Sequence, residues 1–373
     1  MRQPNSVPEA GEIQPLTGIR GFAALMVVLG HFYGSWVVLL PGIKVLQPLA
    51  QRGQLGVDLF FILSGFILSY VYDVGGVRLD FARYRKFVWF RLARIYPMHL
   101  AMLGAAALLA VLGPRWGLTI DGSYPMASLP YQLTMTHAWI VAHNFQWNYP
   151  SWSISAEWFA YLAIFPLAGF MLRWHLRASG FLIVAYGALG GWLILLYFFN
   201  GEVFWRYGAL WRVSLEFFAG SALFGIYRHE SRITGWCQRY ATVIFLCLLI
   251  CIFFLALVPG EITHWLRFVP CLFLPVLLLG LTGKESVLSR LLSTRLALFL
   301  GRISYAIYMC HAVMHRLIYA TLPAEQYAAS PLIGRWFLLL ANLALIIGVA
   351  TGAYYLVELP ARNLMRCWKQ KGG

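Results

Sequence analysis

The chain has 373 residues, of which 60% are hydrophobic and only 12% charged, against about 25% charged in a soluble domain. That balance excludes a soluble globular enzyme and predicts a polytopic helical membrane protein; aromatics at 16% suit helices anchored at two interfaces. The net charge of +15 is no sign of nucleic-acid binding, because the Lys and Arg residues fall in short clusters between apolar runs, as membrane topology requires.

Taken in order, residues 1–15 hold Glu9, Glu12 and three prolines with no apolar core, so they read as a cytoplasmic tail and not as a cleavable signal peptide. Ten candidate spans follow at about 16–40, 55–73, 95–112, 154–172, 180–199, 209–227, 241–258, 265–282, 298–319 and 333–356. Each is close to the ~20 residues that cross ~30 Å of hydrocarbon. The basic amphipathic stretch 81–94 is expected to lie along the interface. The connection 113–153 is expected to fold onto the membrane surface, with a short helix near 131–142. Its Trp116, Trp139 and Trp147 suit stacking on sugar rings or anchoring at the lipid interface. The expected fold is therefore all-α: one transmembrane helical bundle of about ten spans over 1–373, ending in a basic tail at 363–373. Six scattered cysteines form no CxxC pair, so neither a zinc site nor a disulfide framework is expected.

Basic residues set the orientation. The connections after spans 2, 4, 6 and 8, with the C-terminal tail, hold 18 Lys and Arg, whereas those after the odd-numbered spans hold 4. Positive loops stay in the cytoplasm, so both termini are expected there and the protein is expected in the cytoplasmic (inner) membrane.

This topology assigns depths to the costly polar residues. In span 1, His31 follows Arg20 by eleven residues, close to three turns and ~16 Å along the axis. The two share a face, with His31 in the outer half. Asp58 opens span 2 and Glu157 lies early in span 4, both also in the outer half. In span 9, Arg302 is near the inner end and Tyr305, Tyr308 and His311 climb one broad face toward the middle. An outer layer of His31, Asp58, Glu157 and His311 thus stands over an inner layer of Arg20, Arg91, Arg94 and Arg302. Ionisable groups in hydrocarbon mark functional sites. A carboxylate beside a histidine sets its tautomer and basicity, and an arginine cluster suits a phosphate-bearing ligand. The pattern reads as a histidine base supplied by a phosphorylated donor from inside.

Plainer roles exist for the same residues. Asp58 suits a helix N-cap, Arg20 and Arg302 suit snorkelling to headgroups, and Arg91 and Arg94 suit positive-inside anchoring. His311 suits a bond to a neighbouring backbone carbonyl. Glu216 suits a pair with Arg212, and Glu358 one with Arg362. Ser64 and Gly65 suit close helix packing. A proton-coupled transporter using the His and acidic residues as a relay is the alternative function; the lack of repeats and of broken helices counts against it.

The pieces LTGIRGFAALMVVLGHF, GVDLFFILSGFIL, FRLARIYP, PSWSISAEWFAYLAIFPL and GRISYAIYMCH, in this order over about 14–362, resemble the acyltransferase 3 family of membrane O-acyltransferases. The resemblance implies transfer of an acyl group, usually acetyl from acetyl-CoA, to a hydroxyl of a cell-surface saccharide or lipid-linked glycan. It implies His31 as the catalytic histidine of an Arg-x10-His pattern with Arg20, and Arg91 and Arg94 as an RxxR pair. Asp58, Glu157, Tyr305, Tyr308 and His311 fall on its other motifs. On this reading acyl-CoA is the donor substrate, held by Arg20, Arg91, Arg94 and Arg302, with no resident cofactor and no metal. Asp58 or Glu157 orients His31, and Tyr305 or Tyr308 donates to the oxyanion. Some members carry a fused extracytoplasmic hydrolase-like domain; none is expected here, so acceptor delivery is expected to fall to the chain's own loops or to a partner such as polysaccharide-assembly proteins, and membrane lipids are the other expected partner.

Overall fold

A computed structural model describes residues 11–73, 80–118, 124–139, 145–174, 176–199, 208–257 and 264–371. Among these residues there is no strand, and nine helices are long and apolar enough to cross a membrane. They include α1 (Gln14–Leu39), α2 (Leu55–Asp73), α3 (Phe81–Leu112), α4 (Ser151–Met171) and α5 (Ala178–Phe198). After these come α6 (Gly208–Tyr227) and α7 (Arg232–Leu257). A shorter apolar helix, α8 (Leu266–Gly280), precedes α9 (Arg295–Thr321) and α10, which runs from Leu332 through Cys367.

Three expectations change. The eighth span is only α8, whose first part winds as a tight 3-10 helix around Pro270, so it is too short to match the other nine. The stretch 81–94 is no separate interfacial helix. It continues through Pro97 into the third span as one helix of 32 residues, ~48 Å long and well beyond the hydrocarbon thickness. Near 131–142 the helix is shorter and earlier, Leu129–Leu133, and the chain then turns through Met135, whose φ is 54°. The N-terminal tail before residue 11 lies outside the described residues.

The chain forms two compact units, neither continuous in sequence. The first comprises 1–22, 57–85 and 159–302. Within it α2 and α6 touch backbone to backbone: a Cβ on Gly65 would lie 2.0 Å from the Phe217 carbonyl oxygen, and one on Gly220 would lie 1.8 Å from that of Ile62. Only glycine permits such an approach, and close small-residue contact is a main source of helix affinity in lipid. Gly65 therefore has the packing role its setting suggests. Trp192, Leu196 and Phe268 form a buried apolar cluster in the same unit.

The second unit comprises 23–56, 86–158 and 303–373. It carries the connection between α3 and α4, clamped by polar bonds. The His99 ring meets the Gln132 carbonyl at 2.8 Å, and His137 meets the Ser151 hydroxyl at 3.1 Å. Trp139 donates to the Ser155 carbonyl at 2.9 Å and Trp147 to the Ser128 hydroxyl at 3.0 Å. Buried turns need such satisfaction, because an unpaired polar group removed from water is costly. Both α4 and α10 contain one widened, π-helical turn, at Ala160–Ile164 and Tyr354–Glu358, a feature common beside functional sites.

Candidate active site

The second unit gathers polar groups in a ladder along α9. Tyr305, Tyr308 and His311, at steps of three, face inward and are buried, as their spacing predicted.

At the first rung, the Tyr305 hydroxyl donates to the Ile95 carbonyl at 2.6 Å, and the Arg94 guanidinium lies 5.4 Å from the Tyr305 ring centroid. Glu157 is within electrostatic reach of the same tyrosine. Arg94 is ion-paired with Glu358, which Arg362 also approaches at 3.9 Å. Arg91, three residues before Arg94, packs its guanidinium 6.0 Å from the Phe87 ring.

At the second rung, the Tyr308 hydroxyl is 2.7 Å from the Ser153 hydroxyl and donates to the Pro150 carbonyl at 3.1 Å. The hydroxyl protons of Tyr305 and Tyr308 are thus directed at protein acceptors, which leaves neither poised for an oxyanion. Glu157 lies one turn beyond Ser153. It falls on the Tyr305 side of Ser153, and Tyr305 itself is six residues or about 9 Å of helix from His311.

At the third rung stand two histidines. His31 and His311 have ring centroids 4.9 Å apart. Tyr149 packs on both, at 5.0 Å from His31 and 5.8 Å from His311. His31 Nδ1 donates to the Val27 carbonyl at 2.9 Å, and His311 Nδ1 to the Tyr308 carbonyl at 2.5 Å. A carbonyl can only accept, so each Nδ1 carries the proton and each neutral ring presents its lone pair at Nε2. The backbone therefore sets the tautomer that the sequence reading assigned to a carboxylate. The His31 side of the pair is exposed. His311 is fully buried, and its Nε2 has no hydrogen-bond partner among the described residues.

The segment 145–150 closes over this rung. Phe145 and Trp147 have φ of 64° and 59°, a left-handed backbone that non-glycine residues adopt at a cost of roughly 1–3 kcal/mol. Three contacts hold it. Asn148 donates to the Met309 carbonyl at 3.1 Å, Arg316 donates to the Trp147 carbonyl, and the Arg316 guanidinium lies 5.2 Å from the Tyr124 ring and 5.6 Å from that of Tyr149. The Tyr149 hydroxyl has no hydrogen-bond partner among the described residues, and burial pushes its ionisation above the ordinary value despite the opposing pull of Arg316. Sequence reasoning missed Tyr149 and Arg316. Arg316 was detectable, as a cation inside an apolar span; Tyr149 carried no such mark in NYPSW.

Asp58 is part of a different cluster, in the first unit. Arg212 donates to Asp58 through both Nε, at 2.7 Å, and Nη2, and approaches Glu216 at 3.4 Å, all three side chains being fully buried. The Cys271 sulfur joins the two carboxylates within 4.8 Å, and both carboxylates already have the Arg212 guanidinium as their cation. Glu216 thus has the structural pairing expected of it. Arg20 and Arg302 also belong to the first unit. They flank a crossing of α1 and α9 so tight that a Cβ on Gly301 would lie 2.0 Å from the Thr17 carbonyl oxygen. Of the proposed tryptophans, Trp116 is exposed, while Trp139 and Trp147 are tied into the loop.

The family model for the acyltransferase domain matches residues 14–357. The chain belongs to the acyltransferase 3 family. Its ordered motifs and membrane helices make it a multi-pass membrane O-acyltransferase, and the transporter reading falls away. A Rhizobium leguminosarum protein named Nodulation protein 10 is 26% identical over 97% of this chain and 96% of its own. A Bacillus subtilis protein provisionally named as a peptidoglycan O-acetyltransferase is 26% identical over 94% of this chain, which spans 55% of that longer relative. The acyltransferase MdmB of Streptomyces mycarofaciens is 31% identical over 43% of this chain and 40% of its own. No solved structure matches the chain.

Proposed function

We propose that the protein transfers an acetyl group from acetyl-CoA to a hydroxyl of a cell-surface saccharide or lipid-linked glycan, with His31 as general base. The observation that carries this reading is the accessible His31 imidazole, whose Nδ1–H is fixed on Val27 so that the Nε2 lone pair is open. The acceptor hydroxyl gives its proton to Nε2 as its oxygen attacks the thioester carbon, a role worth roughly 10²–10⁴ in rate. The Tyr149 hydroxyl, beside His31 and unbonded to protein, is the donor for the developing oxyanion.

Arg91 and Arg94 hold the phosphates of the donor. The positive-inside pattern puts these arginines toward the cytoplasm, in the inner membrane, with both termini on that side. The acceptor reaches His31 from the outer side. The family membership and the relative named for peptidoglycan O-acetylation support a saccharide acceptor.

Transfer from radiolabelled acetyl-CoA by the purified protein in detergent, together with glycan mass spectrometry of a strain lacking the gene, tests the proposal. The expected results are acetyl-CoA turnover that His31→Ala abolishes, and loss of one acetyl mass from a surface glycan. Undiminished transfer by His31→Ala would remove the base assignment.

A further inference from the structure

His311 repeats the geometry of His31 and has no part in the mechanism above. We infer that the two histidines form a proton relay: His31 takes the proton of the acceptor hydroxyl, and His311 delivers it to the sulfur of the departing coenzyme A. The inference rests on the acyl-transfer reading of His31 and adds the group that protonates the leaving thiolate.

Three observations converge on it. First, His311 Nε2 is a fully buried lone pair with no protein partner among the described residues, an arrangement that carries an uncompensated desolvation cost if nothing uses it. Second, its ring is 4.9 Å from that of His31, and both rings have Nδ1 tied back to their own helices, so both lone pairs lie on the edges turned away from those helices. Third, the His31 Nδ1 partner is a neutral backbone carbonyl, which stabilises an imidazolium less than a carboxylate would. The proton on His31 is therefore not held by a carboxylate, and the neighbouring imidazole is a basic nitrogen heterocycle within reach of it.

The groups facing His311 fit one shuttled proton and not two. They are His31 from α1, Tyr149 from segment 145–150, and Tyr308 and His315 from its own helix, with Arg316 on the far side of Tyr149 at 5.6 Å from its ring. With Arg316 already cationic beside Tyr149, a second imidazolium would add like charge at short range.

The atoms balance as follows. The acceptor oxygen forms a bond to the thioester carbon, and its proton moves to His31 Nε2. The tetrahedral adduct collapses and the carbon–sulfur bond breaks, its electron pair leaving on sulfur. The proton passes from His31 to His311 Nε2 and from there to the sulfur. The products are an ester and a free thiol, and both rings end neutral.

A packing role for His311 would slow every donor alike, whereas the relay matters only when the leaving group needs a proton. The test compares acetyl-CoA with its selenoester analogue, in which selenium replaces the thioester sulfur and leaves as a stable anion. Purified full-length His311→Gln and His311→Asn are assayed on both donors in the same preparation, so that the ratio is independent of the folded fraction. Expected is a loss of roughly 10²-fold with acetyl-CoA and recovery to within about tenfold of wild type with the selenoester, while His31→Gln stays slow on both. Equal slowing of the His311 variants on both donors, or no slowing on either, overturns the relay. If the wild-type protein transfers nothing from either donor, the acyl-transfer reading fails instead.

Discussion

Arg94 and Glu358 form an ion pair that ties α3 to the π-helical turn of α10, with the carboxylate buried and Arg362 on its other side. The arginine that the sequence places on a donor phosphate is therefore also a structural cation. Arg94→Ala leaves a buried carboxylate with only the looser Arg362, and is expected to cost about 3 kcal/mol as well as donor affinity. Arg91→Ala is expected to raise the KM for acetyl-CoA about tenfold with kcat and stability little changed. Thermal unfolding in detergent beside steady-state kinetics separates the two; an Arg94→Ala protein of wild-type stability would remove the structural role.

Asp58 offers the converse case. Its carboxylate is bound by Arg212 through two nitrogens in a fully buried site. Asp58→Asn is expected to lower stability by roughly 3 kcal/mol, while activity per folded molecule stays within a few-fold of wild type. A stable Asp58→Asn protein with abolished kcat would make Asp58 catalytic.

Glycine contacts yield a paired prediction. Gly220→Ala forces a methyl to within 1.8 Å of the Ile62 carbonyl oxygen, so α2 and α6 must separate and the folded yield is expected to collapse. Gly104→Ala, in the middle of α3 with nothing within 4 Å of the new methyl, is expected to be neutral or to stabilise by about 0.5–1 kcal/mol. Detergent-solubilised monodisperse yield and melting temperature read both.

Tyr149 makes a prediction about pH. Burial raises its ionisation in the folded protein above the ordinary value of about 10. The folded state then holds its proton where the unfolded chain has lost it. The stability this contributes is complete below about pH 10 and declines as the pH rises further. The melting-temperature difference between wild type and Tyr149→Phe is expected to stay constant up to about pH 10, with wild type losing stability relative to the variant above it. A relative gain by wild type beginning near neutrality would instead show that the folded phenol ionises in the assay range.

Much of the site was legible before any coordinates. His31 and His311 announced themselves as costly residues in apolar spans, and their ladder with Tyr305 and Tyr308 follows from helical periodicity. Glu216 with Arg212, and Glu358 with Arg362, were readable as i, i+4 pairs. Depth was harder: Glu157 was placed with His31, but it sits on the Tyr305 side of Ser153, because α4 begins at Ser151 and its first turn is spent on the contacts to Tyr308.

Local order thus came from the sequence alone: an all-helical membrane protein, where its spans lie, and which polar residues each span must accommodate. Those follow from the cost of exposing polar groups to hydrocarbon and from the 3.6-residue period, both of which act along a single helix. Tertiary structure decided the partners. Val27 rather than a carboxylate fixes His31, Arg212 takes Asp58, and a strained loop brings Tyr149 onto two histidines more than 100 residues apart from it or each other. Rotation about each helix axis, and the neighbour it then meets, depends on backbone approach at glycines and on side chains from distant segments, and no periodicity within one segment encodes that choice.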